Sequence, residues 1–122
     1  MPMVKVFFDG GCRPNPGAME IAVVARGRTH IVRDRGAGTS FDAEWLALIE
    51  ALKVAQSLAP ASFVLLGDAA TVIRQAAGVA PCRGAALRHL QAFKALVPAG
   101  ARVRYIKRTQ NLAGIALARL HG

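Results

Sequence analysis

The chain runs out of acid early. All seven of its aspartates and glutamates lie at or before Asp68, where they meet seven lysines and arginines; residues 69–122 hold nine more bases and no acid. The formal net charge is +9 over 122 residues. A half without negative charge suits a polyanion such as nucleic acid, but positive charge also serves solubility, so charge alone does not choose. Cysteine is scarce too. Cys12 and Cys82 stand far apart, which argues against a thiolate metal cluster or a disulfide framework and suits reduced thiols in a cytoplasm. No apolar run approaches the roughly 18 residues of a bilayer span. The N-terminus, where Asp9 and two glycines follow a short apolar run, does not read as a secretory or targeting segment. Repeats, low-complexity tracts and linkers are also missing. The expectation is one domain over residues 1–122, cytoplasmic, with no membrane association.

What is present is a clear succession of elements. Val4–Phe8 reads as a short buried strand, apolar but for Lys5, and Gly10–Gly17 as a turn-rich loop. Ile21–Ala25 and His30–Arg33 form two strands of a hairpin across Arg26-Gly27-Arg28. A helix starts near Ser40, capped by Thr39 or Ser40, with Asp42 in its first turn. Phe41, Trp45, Leu48, Leu52 and Ala55 recur along it at helical spacing, and Pro60 lies beyond its end. Phe63–Leu66 is an apolar strand. Helices follow over Ala69–Ala77 and Ala85–Leu96, then a strand over Val103–Ile106 and a last helix containing Leu112, Ile115 and Ala116. The order βββαβααβα implies a mixed α/β sheet flanked by helices.

Two acids stand where strands end: Asp9 after Val4–Phe8 and Asp68 after Phe63–Leu66 and Gly67. In open α/β sheets, sites form beyond the carboxyl ends of strands. If the two strands are parallel neighbours joined by the long helix, both carboxylates reach one rim. Glu44 lies one turn into that helix, at the edge of its apolar stripe. Glu50, turned about 240° further round the axis, reads as a surface acid. Three converging carboxylates call for a cation, and hard ions such as Mg²⁺ favour such oxygens. Two ions would stabilise the attacking and leaving oxygens of an in-line displacement at phosphorus.

These residues resemble a known family. Asp9-Gly10-Gly11-Cys12-Arg13-Pro14-Asn15-Pro16-Gly17 resembles the D-G-S/G-x-x-x-N-P-G signature of type 1 ribonuclease H. The stretch from Ala43 to Leu52 is similar to that family's A-E-x-x-A-L-x-x-A-L helix, and Asp68 falls where its third acid belongs. Arg108-Thr109-Gln110-Asn111 resembles the R-x-x-N approach to its last helix. The resemblance implies a five-stranded mixed sheet of order 3-2-1-4-5 flanked by helices. It also implies endonucleolytic cleavage of the RNA strand of an RNA–DNA hybrid by a two-metal-ion mechanism. Asp9, Glu44 and Asp68 would then hold two Mg²⁺ or Mn²⁺ ions, with Asp9 bridging them. Gly10, Gly11, Cys12 and Asn15 would meet the RNA minor groove, whose 2′-hydroxyls distinguish RNA from DNA. Thr39 would bind a DNA phosphate or cap its helix. The partner would be the hybrid alone, with no obligate protein partner and a monomeric chain.

The departures are specific. The family's fourth acid, near the start of the last helix, has no counterpart, since no acid follows Asp68. Asn111 is the candidate for its place, as a neutral fourth catalytic and metal-ligating residue, or else caps the last helix. If Asn111 matches the family's upstream asparagine, the place falls on Gly114 or Ile115 and is empty. The second ion would in either case be held weakly. The family's loop histidine is also missing, because only four residues separate Ile106 from Asn111. The alternative is a catalytically weak or inactive domain that binds hybrids or RNA. A three-acid resolvase-like core or a metal-free scaffold explains the Asp9–Gly17 motif less well.

Overall fold

The computed structural model describes residues 3–58 and 60–122; Met1, Pro2 and Ala59 lie outside the described residues. Strand β1 (Val4–Cys12) pairs antiparallel with β2 (Gly17–Ala25), which pairs antiparallel with β3 (Arg28–Val32). Helix α1 (Ser40–Leu58) crosses to β5 (Phe63–Gly67), which lies parallel to β1, and β6 (Arg102–Tyr105) lies parallel to β5. The two short helices α2 (Ala70–Ala76) and α3 (Ala85–Leu96) separate β5 from β6, and α4 (Leu112–Arg119) ends the fold. The sheet order is β3-β2-β1-β5-β6, with a two-residue strand β4 (Ala37–Gly38) paired to the start of β2. This is the expected 3-2-1-4-5 arrangement with one small strand added.

Alternation along the strands divides the core into two layers. Val6, Phe8, Ile21 and Val23 face the apolar stripe of α1, with Trp45, Leu48 and Leu52 wholly buried between. Ala22 and Val24 face the other way, against Ala113 and Leu117 of α4, with Phe7 packed beside them. Trp45 also joins α1 to the later helices. Its indole N–H donates to Gln75 Oε1 at 3.0 Å, and its ring stacks on His89 and meets Phe93 edge-on.

Several boundaries depart from the sequence reading: β3 starts at Arg28 rather than His30 and β6 at Arg102 rather than Val103, and β1 and β2 move furthest. β1 continues four residues past Phe8, so Asp9 sits within a strand, because Asp9–Cys12 pair with Ala22–Met19. The expected loop shrinks to residues 13–16, and β2 starts earlier for the same reason. The β2–β3 hairpin turns on Arg26 and Gly27, both at positive φ (51° and 74°), the combination that a two-residue turn with matching twist needs.

Candidate active site

The parallel pairing sets the site. Val6 lies opposite Leu65 and Phe7 opposite Leu66, so continuing the register brings Asp9 level with Asp68 at the carboxyl rim. Gly67 makes that approach possible: a Cβ there would stand 2.5 Å from the Phe8 ring. Glu44 arrives from α1. The first turn of that helix lies against β1 so closely that a Cβ on Gly10 would overlap the Ala43 carbonyl. Gly10 N–H donates to Glu44 Oε1 and fixes the carboxylate over the strand. One oxygen from each of Asp9, Glu44 and Asp68 lies within 4.8 Å of the others. Glu50 is no part of the group.

The electrostatics show what this crowding costs. Burial first, and then the Asp68 charge, pushes the Asp9 pKa up to about 6. Burial and the Asp9 charge push Glu44 up to about 9. Both raised values favour the protonated form where the two carboxylates face one another. A divalent cation relieves this arrangement by replacing the proton. Three half-buried oxygen donors are the donor set that Mg²⁺ and Mn²⁺ take, and the residues present fit such an ion.

Asn111 is wholly buried. Its Oδ1 accepts from Ala113 N–H at 3.1 Å, capping α4, while Nδ2 donates to the Phe8 carbonyl at 3.0 Å and to Asp68 Oδ1 at 3.3 Å. Turning the amide over would set donor against donor at Ala113 and acceptor against acceptor at Phe8, so the neighbours dictate its orientation. This departs from the expectation of a fourth metal ligand. The carbonyl oxygen is engaged as a cap, and the face toward the acids is the N–H₂. The wall of α4 that faces Asp9 instead begins at Gly114, where a Cβ would lie 3.5 Å from Asp9 Oδ2.

Beside Asp9 runs a cleft lined by Asp9, Gly11, Cys12, Asn15, Arg108 and Gly114, among others. Gly10 also borders it, but its tight packing on Ala43 gives it a structural duty. Gly11 is the open one: a Cβ there would meet nothing within 4 Å. Asn15 is latched to the start of α1, its Nδ2 donating to Ser40 Oγ at 2.9 Å and its Oδ1 accepting from Ser40 N–H at 3.1 Å. The Cys12 thiol donates to Asn15 Oδ1 at 3.4 Å and lies 3.6 Å from the Gly38 carbonyl. Thr39 caps α1. Its Oγ1 accepts from Asp42 N–H at 3.1 Å and donates to Asp42 Oδ2 at 2.9 Å, and Asp42 Oδ2 also accepts from the Thr39 N–H. Its exposed hydroxyl is thus shared with Asp42.

Sequence reasoning missed two features of the cleft. Arg108 bonds Asp68 Oδ2 through Nε at 3.3 Å; its place in the R-x-x-N motif was the available signal. At the far end, Glu20 accepts from His121 Nε2 at 2.6 Å and from Arg33, contacts that hold its pKa below the ordinary carboxylate range. Nothing in the sequence pairs residues so far apart.

A sheet of this order with three acids at its rim defines a ribonuclease H-like protein. The family described as reverse transcriptase-like matches residues 7–121, and the chain belongs to it as a type 1 ribonuclease H-like member. Solved structures agree. Ribonuclease H1 from the halophilic archaeon Halobacterium salinarum is 26% identical with a TM-score of 0.85, over 95% of this chain and 94% of that one. LC11 ribonuclease H1, isolated from compost and solved in complex with an RNA/DNA hybrid, is 27% identical with a TM-score of 0.77, over 93% and 92% of the two chains. The N-terminal ribonuclease H domain of a Mycobacterium tuberculosis protein, 22% identical with a TM-score of 0.76 and full coverage of both chains, shares the fold. No curated protein matches. The likeness supports a nuclease at the level of the family. Among the described residues no helix is long and apolar enough to cross a membrane.

Proposed function

We propose that the protein hydrolyses the RNA strand of RNA–DNA hybrids by metal-assisted displacement at phosphorus. The observation that carries this reading is the convergence of Asp9, Glu44 and Asp68 within 4.8 Å, with Asp9 lining a cleft shared with Gly11, Cys12 and Asn15. Divalent Mg²⁺ or Mn²⁺, when bound, supplies Lewis-acid charge for the attacking and leaving oxygens. Asp9, Glu44 and Asp68 would hold one ion; a second would find no carboxylate on α4 and would be held weakly. Gly10 N–H holds Glu44 in place, and Asn111 N–H₂ orients Asp68. Gly11, with open space before it, lets sugar and backbone approach. Asn15, tied to Ser40, holds that edge against α1. Thr39 offers its hydroxyl to a phosphate only by sharing it with Asp42. The substrate is the hybrid, and the chain acts as a cytoplasmic monomer.

Incubation with a hybrid labelled on each strand, under Mg²⁺ and then Mn²⁺, tests the reading. The RNA strand is expected to be cut and the DNA strand left whole; an uncut RNA strand with both ions overturns it. Binding without cleavage is the second reading, favoured by an α4 wall of Gly114 and Ile115 in place of an acid. Tight hybrid binding by an inert wild-type chain would identify it.

A further inference from the structure

The sheet is wider than the helix that covers its second face. Helix α4 packs on β1, β2 and β3, and its apolar cluster stops at Phe7 of β1. Register sets the rest of that face. Lys5 lies level with Val64 and Arg102, and Phe7 level with Leu66 and Arg104, so each row turns its three side chains to one side. Val24, the antiparallel partner of Phe7, packs on α4, which identifies the side. Lys5, Arg102 and Arg104 are exposed, while Val64 and Leu66 between them are buried. Long basic side chains can cover such a floor with their stems and keep their charged heads in water. Arg26, exposed at the β2–β3 turn, joins Lys5 and Phe7 around one hollow. Among the described residues none of these four bases is in an ion pair.

Four cations around an apolar floor, answered by no acid, call for a polyanion. Position says which. β6 runs into the turn Arg108–Gln110, and Arg108 and Thr109 of that turn line the catalytic cleft. From the level of Gly67 and Tyr105 down to that of Val64 and Arg102 is three strand residues, about 10 Å. A nucleic-acid strand at duplex spacing covers that distance in about three nucleotides. An acidic protein tail has no need to lie end to end with the cleft, whereas a nucleic acid held in the cleft must leave it somewhere. We propose that the face carrying Lys5, Arg26, Arg102 and Arg104 binds the single strand that continues past the end of a hybrid held in the cleft. The preferred substrate is then a hybrid with a single-stranded extension. This rests on the reading above that the cleft takes a hybrid. The floor of Phe7, Val64 and Leu66 offers no side-chain hydrogen bond to a base, so the face reads charge and not sequence.

Metal-free binding titrations of the full chain by fluorescence anisotropy test this apart from cleavage. The probes are a blunt hybrid and the same hybrid with a single-stranded extension of about ten nucleotides, placed on each strand and each end in turn. At least one extended probe is expected to bind about tenfold more tightly than the blunt one, with a log–log salt slope steeper by about two to four. Arg102→Gln with Arg104→Gln, which keeps much of the apolar stems, should remove most of that gain. Lys53→Gln with Arg74→Gln takes the same charge from exposed positions on α1 and α2 and should keep it. Arg102→Lys with Arg104→Lys should keep it as well. No gain from any extension would overturn the proposal. Equal loss in the two glutamine pairs would overturn it too, leaving only bulk charge. A chain that gains nothing from an extension yet binds polyglutamate through Arg102 and Arg104 would give the face to an acidic protein instead. If the metal-loaded chain leaves RNA whole while the gain still follows Arg102 and Arg104, the hydrolytic reading fails and the docking face stands.

Discussion

At the scale of single residues, position in the site decides what a substitution does. Asp9 stands between Glu44 of α1 and the Gly114 wall of α4, and its carboxylate has no equal in a neutral amide. Asp9→Asn is expected to abolish cleavage while preserving the thermal transition, since the isosteric amide also removes the repulsion with Glu44 and Asp68. Retention of more than a few per cent of wild-type activity would take Asp9 out of its bridging role. Asn111 works in the opposite direction. Asn111→Ala removes a helix cap, about 1 kcal/mol, and strands the buried Phe8 carbonyl, about 1–3 kcal/mol more. Asn111→Asp keeps the cap but points an acceptor at Phe8 O and Asp68 Oδ1, so it too should unfold at lower denaturant. Equal stability of the Asp variant and the wild type would contradict the amide orientation described here.

At the scale of elements, the junction of β1 with α1 carries the site. Gly10 and Gly11 are neighbours with opposite duties, and their alanine variants should separate them. Gly10→Ala drives a methyl into the Ala43 carbonyl. It should cost about 1–3 kcal/mol by overpacking and move Glu44 off its N–H donor. Gly11→Ala meets no atom within 4 Å, so stability should hold while hybrid affinity falls. Equal stability losses in urea unfolding would refute the distinction. The far end of the α1 first turn is held by α3, through His89 Nε2 at 3.0 Å from Asp42 Oδ1 and the His89–Trp45 stack. This contact also holds the Asp42 pKa below its ordinary value.

At the scale of the whole molecule, proton and ion equilibria couple to folding. Asp9 and Glu44 have pKa values raised to about 6 and about 9 from ordinary values of 3.8 and 4.5. The folded chain therefore binds more protons than the unfolded one between those limits. That stabilisation is complete below the unfolded values and is lost as pH rises through the folded ones. Glu20 and Asp42, whose values are lowered, act only at more acid pH. The metal-free protein should thus melt at progressively lower temperature from about pH 5 to pH 9. Mg²⁺ should reverse the trend, its stabilisation growing with pH as it displaces the retained protons. A metal-free melting temperature that rises across this range would contradict the raised values. The excess of base over the second half of the chain predicts a second bulk property. Hybrid affinity should fall with salt by just under one unit of log–log slope for each phosphate contacted, with Arg83, Arg88 and Lys94 among the contributors, as alanine variants would register. A flat titration would leave the +9 charge to solubility.

Much of this was legible in one dimension. Strand and helix periods, the glycines at Gly10 and Gly67 and the acids that follow apolar runs are local patterns. They sufficed for the element order and the trio Asp9, Glu44 and Asp68, while the 3-2-1-4-5 sheet order was implied by the resemblance to the family. The absence of an acid after Asp68 was equally plain. What the chain alone could not decide depended on partners distant in sequence. The extension of β1 through Cys12 arises only because Met19–Ala22 stand ready to pair with it. The duty of Asn111 was open between ligand and cap because asparagine suits both. Burial beside Phe8, 103 residues away, turns its N–H₂ toward Asp68 and its oxygen into α4. Arg108 had no role until the short β6–α4 turn laid its guanidinium against Asp68. Local pattern determines which elements form; the burial of particular polar atoms, which must find partners wherever the fold supplies them, was decided only by tertiary structure.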